Sequence, residues 1–112
     1  KVLLIATGTG ISPFHSYVRS HPELKFNILH GVHFADEAYG RESFDPGRYL
    51  LCTSRHDKGD YFGRVTYYLK EHPVDRDTIC YLCGNSEMID EVTVILENYG
   101  IPPENIRTEV FF

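Results

Sequence analysis

Apolar residues along this chain come in short blocks, each broken by glycine, proline or a polar stretch. The first block, residues 1–6 (KVLLIA), is leucine-rich and β-branched and ends at Gly8 and Gly10. That pattern predicts a strand buried on both faces of a parallel sheet. Ser12 followed by Pro13 marks a helix start, with serine as N-cap and proline at the first helical position, and the helix runs to about Ser20. A second strand over residues 25–29 leads to Gly31 and a short helix near 35–39. A third strand, 48–53, is followed by a polar loop and by a helical pattern over 65–71 with Val65, Tyr68 and Leu69 at core spacing. Residues 78–83 form the fourth strand. Residues 86–99 form the strongest helix, with Met88, Ile89, Val92, Ile95 and Leu96 on one face and Gly100 closing it. Pro102 and Pro103 turn the chain into a fifth strand, 106–111.

Strands alternating with helices indicate βαβ units. The predicted fold is α/β: a five-stranded, doubly wound parallel sheet with helices on both faces, in one domain over residues 1–112. Ligands in such sheets bind beyond the carboxyl ends of the strands, where strand order reverses. The stretches with chemical character all fall at those ends.

Composition narrows the function without naming it. Hydrophobic content of 42% and charged content of 24% are ordinary for a globular domain. The net charge of −5 argues against nucleic acid or an anionic membrane as partner, since both reward a basic surface. No run approaches the length of a membrane span. Cys52, Cys80 and Cys83 are too few for a disulfide scaffold and fit a reducing compartment, so the expected location is cytoplasmic. Lys1 opens a buried strand with no lead-in, which reads as a fragment of a longer protein.

Four stretches carry candidate chemistry. ATGTGISPF, residues 6–14, joins the first strand to the first helix; its glycines let the backbone approach a ligand, and free N–H groups at a helix start favour an anion. Thr7 and Thr9 add hydroxyl groups. Pro13 stands where the dinucleotide fingerprint GxGxxG has its third glycine, so that fingerprint is absent. TSRHDKGDYFGR, residues 53–64, gathers Arg55, Lys58 and Arg64 in an acidic chain, with Ser54 beside them. Arginine next to serine suits a phosphate monoester, because the guanidinium fork makes paired charge-assisted bonds. A solvated charged loop is the plain alternative.

CYLC, residues 80–83, has the spacing of a redox or metal pair, but side chains alternate faces along a strand. Cys80 and Cys83 are therefore expected on opposite faces, Cys80 as a small core residue and Cys83 pointing into the ligand crevice. HGVH, residues 30–33, is a weak metal signal without carboxylate or cysteine at ligand spacing. No GxSxG nucleophile motif is present.

Together GTGISPF, TSR with its downstream GR, YLCGNSEMI and the ending TEVFF resemble the ferredoxin–NADP reductase family over nearly the whole chain. That family pairs a flavin-binding barrel with a C-terminal nucleotide-binding domain. The resemblance implies that Gly8, Thr9, Gly10 and Pro13 form the pyrophosphate loop, and that Ser54, Arg55 and Arg64 hold the 2′-phosphate of NADP. It implies that Cys83 and Gly84 lie beside the nicotinamide and that Met88 packs near the nucleotide. Glu109 would help order the flavin–nicotinamide site, and Phe111 would stack on the isoalloxazine of FAD until the nicotinamide displaces it. His33 departs from bacterial relatives that carry arginine there, and Phe112 extends one residue past the usual end.

The implied function is NADP(H) binding in a flavin-dependent reductase that passes hydride between NADPH and FAD. FAD would be bound mainly by an FAD-binding domain of the same chain, ferredoxin or flavodoxin would be the electron partner, and the isolated domain would be inactive. Two alternatives stay open. An NADH-using reductase module of an oxygenase system is kept alive by Asp57 and Asp60, since NAD sites carry an acid for the ribose hydroxyl. A non-enzymatic nucleotide-binding regulatory module is the other.

Overall fold

The computed structural model describes residues 1–38, 40–55 and 58–108. Among these residues six strands, β1 (Val2–Thr7), β2 (Phe26–Val32), β3 (Tyr49–Thr53), β4 (Tyr61–Phe62), β5 (Ile79–Cys83) and β6 (Ile106–Thr108), form one sheet in the order β4-β3-β2-β1-β5-β6. Every pairing is parallel. The helices are α1 (Ser12–Ser20), α2 (Val65–Glu71) and α3 (Ser86–Asn98). The chain leaves β1 toward β2 on one side and returns to pair β5 on the other, so strand order reverses at β1.

The two faces of the sheet bury separate cores, as alternation along each strand requires. On one face Ile5, Leu29, Cys52, Cys80 and Leu82 meet Val65 and Leu69 of α2 and Met88, Val92, Ile95 and Leu96 of α3. On the other, Leu4, Ala6, Ile28, Leu51 and Cys83 meet Phe14 of α1 together with Ile11 and Phe44. Each buried Val, Leu, Ile, Met or Phe side chain among them contributes about 1.5–3 kcal/mol. Helices thus cover both faces, and Cys80 and Cys83 lie on opposite ones.

Several sequence expectations need correction. Among the described residues the sheet has six strands rather than five, because Tyr61–Phe62 in the polar loop pairs with Cys52 and Thr53. β2 continues through Gly31 to Val32, held by β1 on one side and β3 on the other. Ser12 is the first residue of α1 rather than its cap. The cap is Ile11, the last residue of a 3-10 turn over Gly8–Ile11, and no side chain caps the helix. The expected helix near 35–39 is a three-residue 3-10 turn, Ala35–Glu37. Among the described residues the last strand ends at Thr108, and residues 109–112, which include Glu109 and Phe111, lie outside them.

Candidate nucleotide site

A cavity of about 520 Å³ opens at the carboxyl end of the sheet. Its walls are Thr7, Gly8, Thr9 and Gly10 after β1, Gly31, Val32 and His33 at the end of β2, and Gly84, Asn85, Glu87 and Met88 after β5. Ser54, the residue after β3, and Arg64, Val65 and Thr66 at the start of α2 complete it together with Glu37 and Glu91. It lies at the strand-order reversal, where an open α/β sheet takes its ligand.

The loop after β1 is fixed by two contacts and one backbone conformation. Gly10 packs backbone to backbone on the end of β5: a Cβ there would stand 2.5 Å from the carbonyl oxygen of Cys83. Gly8 has a left-handed φ of 54°, which lets the chain turn out of β1 directly into the 3-10 turn. The Thr7 hydroxyl accepts from the Asn85 N–H at 2.9 Å, tying this loop to the start of α3. Thr7 is thus engaged within the protein. Asn85 in turn caps α3, its side-chain oxygen accepting from the N–H groups of Glu87 (2.8 Å) and Met88 (3.2 Å).

Polar side chains also line the cavity. Ser54 Oγ lies 3.0 Å from His33 Nδ1, which ties the end of β2 to the residue after β3. The Arg55 N–H donates to the His33 carbonyl at 3.0 Å and continues that link along the backbone. Arg64 caps α2 with extended backbone and is an exposed residue of the cavity lining. Glu37 stands nearby, one carboxylate oxygen accepting from the Phe34 N–H at 2.8 Å.

Of the sequence-predicted residues, Gly8, Thr9, Gly10, Ser54, Arg64, Gly84 and Met88 are brought together on one cavity. Pro13 and Arg55 do not line it. Nor does Cys83: its side chain is 1% exposed in the α1-side core beside Ala6 and Ile11, and Gly84 forms the wall instead. The expectation that the Cys83 side chain points into the crevice is corrected accordingly, since strand alternation turns it under α1. Asp60 is spent elsewhere, accepting from the Leu51 N–H at 2.8 Å, while Asp57 lies outside the described residues. His33, Glu37 and Asn85 were not picked out as site residues from the sequence; their signal was position after a strand end.

The set of groups fits a dinucleotide phosphate. Hydroxyls, loop backbone and one guanidinium line a cavity among glycines, which is the chemistry of anion recognition at strand ends. No group of three or more His, Cys, Asp or Glu side chains is placed to hold a metal among the described residues. His30, which the HGVH stretch singled out, is buried and hydrogen-bonded on both ring nitrogens. No helix among the described residues is long and apolar enough to cross a membrane.

The chain is similar to several oxidoreductases. One component of the Na(+)-translocating NADH-quinone reductase of Marinomonas is 24% identical over 99% of this chain, and this chain spans 32% of that relative's length. A cytochrome P450 reductase from Amycolatopsis is 24% identical, with a TM-score of 0.79 over 98% of this chain and 37% of its own. A flavohemoglobin from Malassezia yamatoensis, solved with bound FAD and heme, is 23% identical with a TM-score of 0.83, covering 99% of this chain and 31% of its own. These likenesses carry the fold. A sequence model of the oxidoreductase NAD-binding domain matches residues 4–93, most of the chain. The resemblance to ferredoxin reductase-type proteins is thereby borne out, and the chain belongs to the family of oxidoreductase NAD-binding domains.

Proposed function

We propose that this domain holds NADP(H) in a flavin-dependent reductase. The observation that carries the reading is that Ser54 and Arg64 line one cavity, with the Ser54 hydroxyl oriented by His33. Serine hydroxyl and guanidinium are the donors that a 2′-phosphate takes up. The bound dinucleotide would supply a hydride, and an FAD held mainly by an FAD-binding domain of the same protein would receive it. This chain's part is to orient: the loop at Gly8, Thr9 and Gly10 receives the pyrophosphate, Ser54 and Arg64 fix the 2′-phosphate, and Gly84 and Met88 bound the nicotinamide end. Arg55 would close on the phosphate from its exposed position after Ser54, and Cys83 would support Gly84 from beneath. Glu109 and Phe111 would order and cover the flavin face. Ferredoxin or flavodoxin would exchange electrons with that flavin.

Calorimetry with 2′-AMP and 5′-AMP tests the phosphate reading. The wild-type chain should prefer 2′-AMP about tenfold or more, and Arg64→Ala should remove that preference, because a charge-assisted bond to phosphate is lost. Equal affinities for the two ligands in the wild type would overturn it.

A second reading has its own observation. The Glu37 carboxylate stands on the same cavity and could accept from a ribose diol, as acids in NAD sites do. The NADH-quinone reductase components among the relatives agree with it. Under that reading the domain serves NADH, and NAD+ would bind at least as tightly as NADP+.

A further inference from the structure

His30 is wholly buried in the middle of β2, yet it touches the cavity loop. Its Nε2 lies 2.8 Å from the carbonyl oxygen of Gly8, and its Nδ1 lies 2.6 Å from the Tyr49 hydroxyl. A carbonyl can only accept, so Nε2 carries the proton and Nδ1 accepts from Tyr49. Tyr49 is itself fixed: its ring stacks on Phe44 at 5.7 Å with an interplanar angle of 11°, and the Arg41 guanidinium lies 5.8 Å from the ring centre. A rigid link therefore runs from the β3 core through an imidazole to one peptide group of the loop.

We propose that His30 is a positioning residue for dinucleotide binding, setting the peptide between Gly8 and Thr9 by holding the Gly8 carbonyl into the sheet. The C=O and N–H of one trans peptide point in opposite directions. With the Gly8 carbonyl turned toward buried His30, the Thr9 N–H faces away from it, and both Gly8 and Thr9 line the cavity. Gly8, at φ 54°, is the residue of this loop with the least resistance to a peptide flip. Without the imidazole the carbonyl can rotate outward and present an acceptor to the anion in place of a donor. This inference rests on the dinucleotide reading above but assigns a residue that touches no ligand.

The test compares His30→Leu, His30→Gln and His30→Asn with the wild-type chain, measuring affinity for NADP+, NAD+ and 2′-AMP by calorimetry. Glutamine can set an amide N–H where Nε2 stands, whereas asparagine falls short of Gly8. His30→Leu and His30→Asn should lose about tenfold in dinucleotide affinity, His30→Gln should retain it, and 2′-AMP, which has no pyrophosphate, should bind all four alike. If His30→Leu does not fold, the Gln and Asn pair still decides. Unchanged dinucleotide affinity in His30→Asn, or an equal loss for 2′-AMP, would overturn the positioning role. A wild-type chain that binds neither dinucleotide would remove the proposed function and this role with it.

Discussion

A Cβ on Gly10 would stand 2.5 Å from the Cys83 carbonyl oxygen and 2.9 Å from the Gly84 Cα, so the cavity loop and the end of β5 meet as bare backbone. Neither neighbour is a flexible side chain that could swing aside. Gly10→Ala must push the loop away from β5 or distort the strand end. The expected cost is about 3 kcal/mol, the upper range for overpacking, out of the roughly 5–15 kcal/mol typical of a domain. Urea denaturation of the variant measures it, and a loss below about 1 kcal/mol would mean the loop yields easily.

The cysteines should be inert in the folded chain. All three are buried and none is in a disulfide. Burial pushes the Cys52 thiol up to about 12, helped by the negative charge of Asp60, and the Cys80 thiol up to about 11. The thiolate is the reactive form, so alkylation at pH 8 should be slow until the chain unfolds. Mass spectrometry after iodoacetamide, with and without urea, reads this directly. A Cys80–Cys83 disulfide under mild oxidation would contradict their placement on opposite faces of the sheet.

The Thr66 hydroxyl is buried with no hydrogen-bond partner among the described residues, and the residue is 3% exposed. An unsatisfied buried hydroxyl carries a desolvation cost that a methyl group of the same shape does not. Thr66→Val should therefore leave stability unchanged or raise it by about 1 kcal/mol. A fall in the urea midpoint would show that the hydroxyl is satisfied in solution. Dinucleotide affinity provides a second reading, since Thr66 lines the cavity.

How much of this was legible beforehand follows from the kind of signal each feature leaves. The strands β1 and β5 and the helix α3 are written in local apolar periodicity, and α2 appears over the expected residues 65–71. β4 is two residues inside a polar loop, too short for any period, and exists because β3 offers an unpaired edge. The end of β2 was obscured by Gly31, where a Cβ would crowd Val65 at 2.9 Å; the glycine reflects close packing rather than a chain break. At the site, glycines and the Ser54–Arg64 charge set were readable as motifs. The link from His30 to Gly8 was not, because its partners are 22 and 19 residues away and only the fold brings them together.

The pH dependence of stability should carry the signature of His30. Burial holds its imidazole below the ordinary value of 6.5, and the nearby His15 on α1 pushes the same way, against the opposing effect of the Gly8 carbonyl. Tyr49 on β3 faces the other nitrogen as a neutral hydroxyl, its own ionisation moved upward by burial. A depressed folded-state value means that the unfolded chain takes up this proton first as pH falls. Above pH 6.5 both states are neutral at this site, and the contribution is fully present. As pH falls from 6.5 through the folded-state value the contribution is lost, with a limiting slope of about 1.4 kcal/mol per pH unit for one proton. His30→Gln has no proton to take up there, so its stability should fall less steeply over the same window, while the other five histidines act alike in both chains. Urea denaturation of the pair between pH 5 and 8 gives the difference directly. Parallel curves would mean that His30 titrates alike in folded and unfolded chains, and the expectation that burial keeps its imidazole neutral would then have to be abandoned.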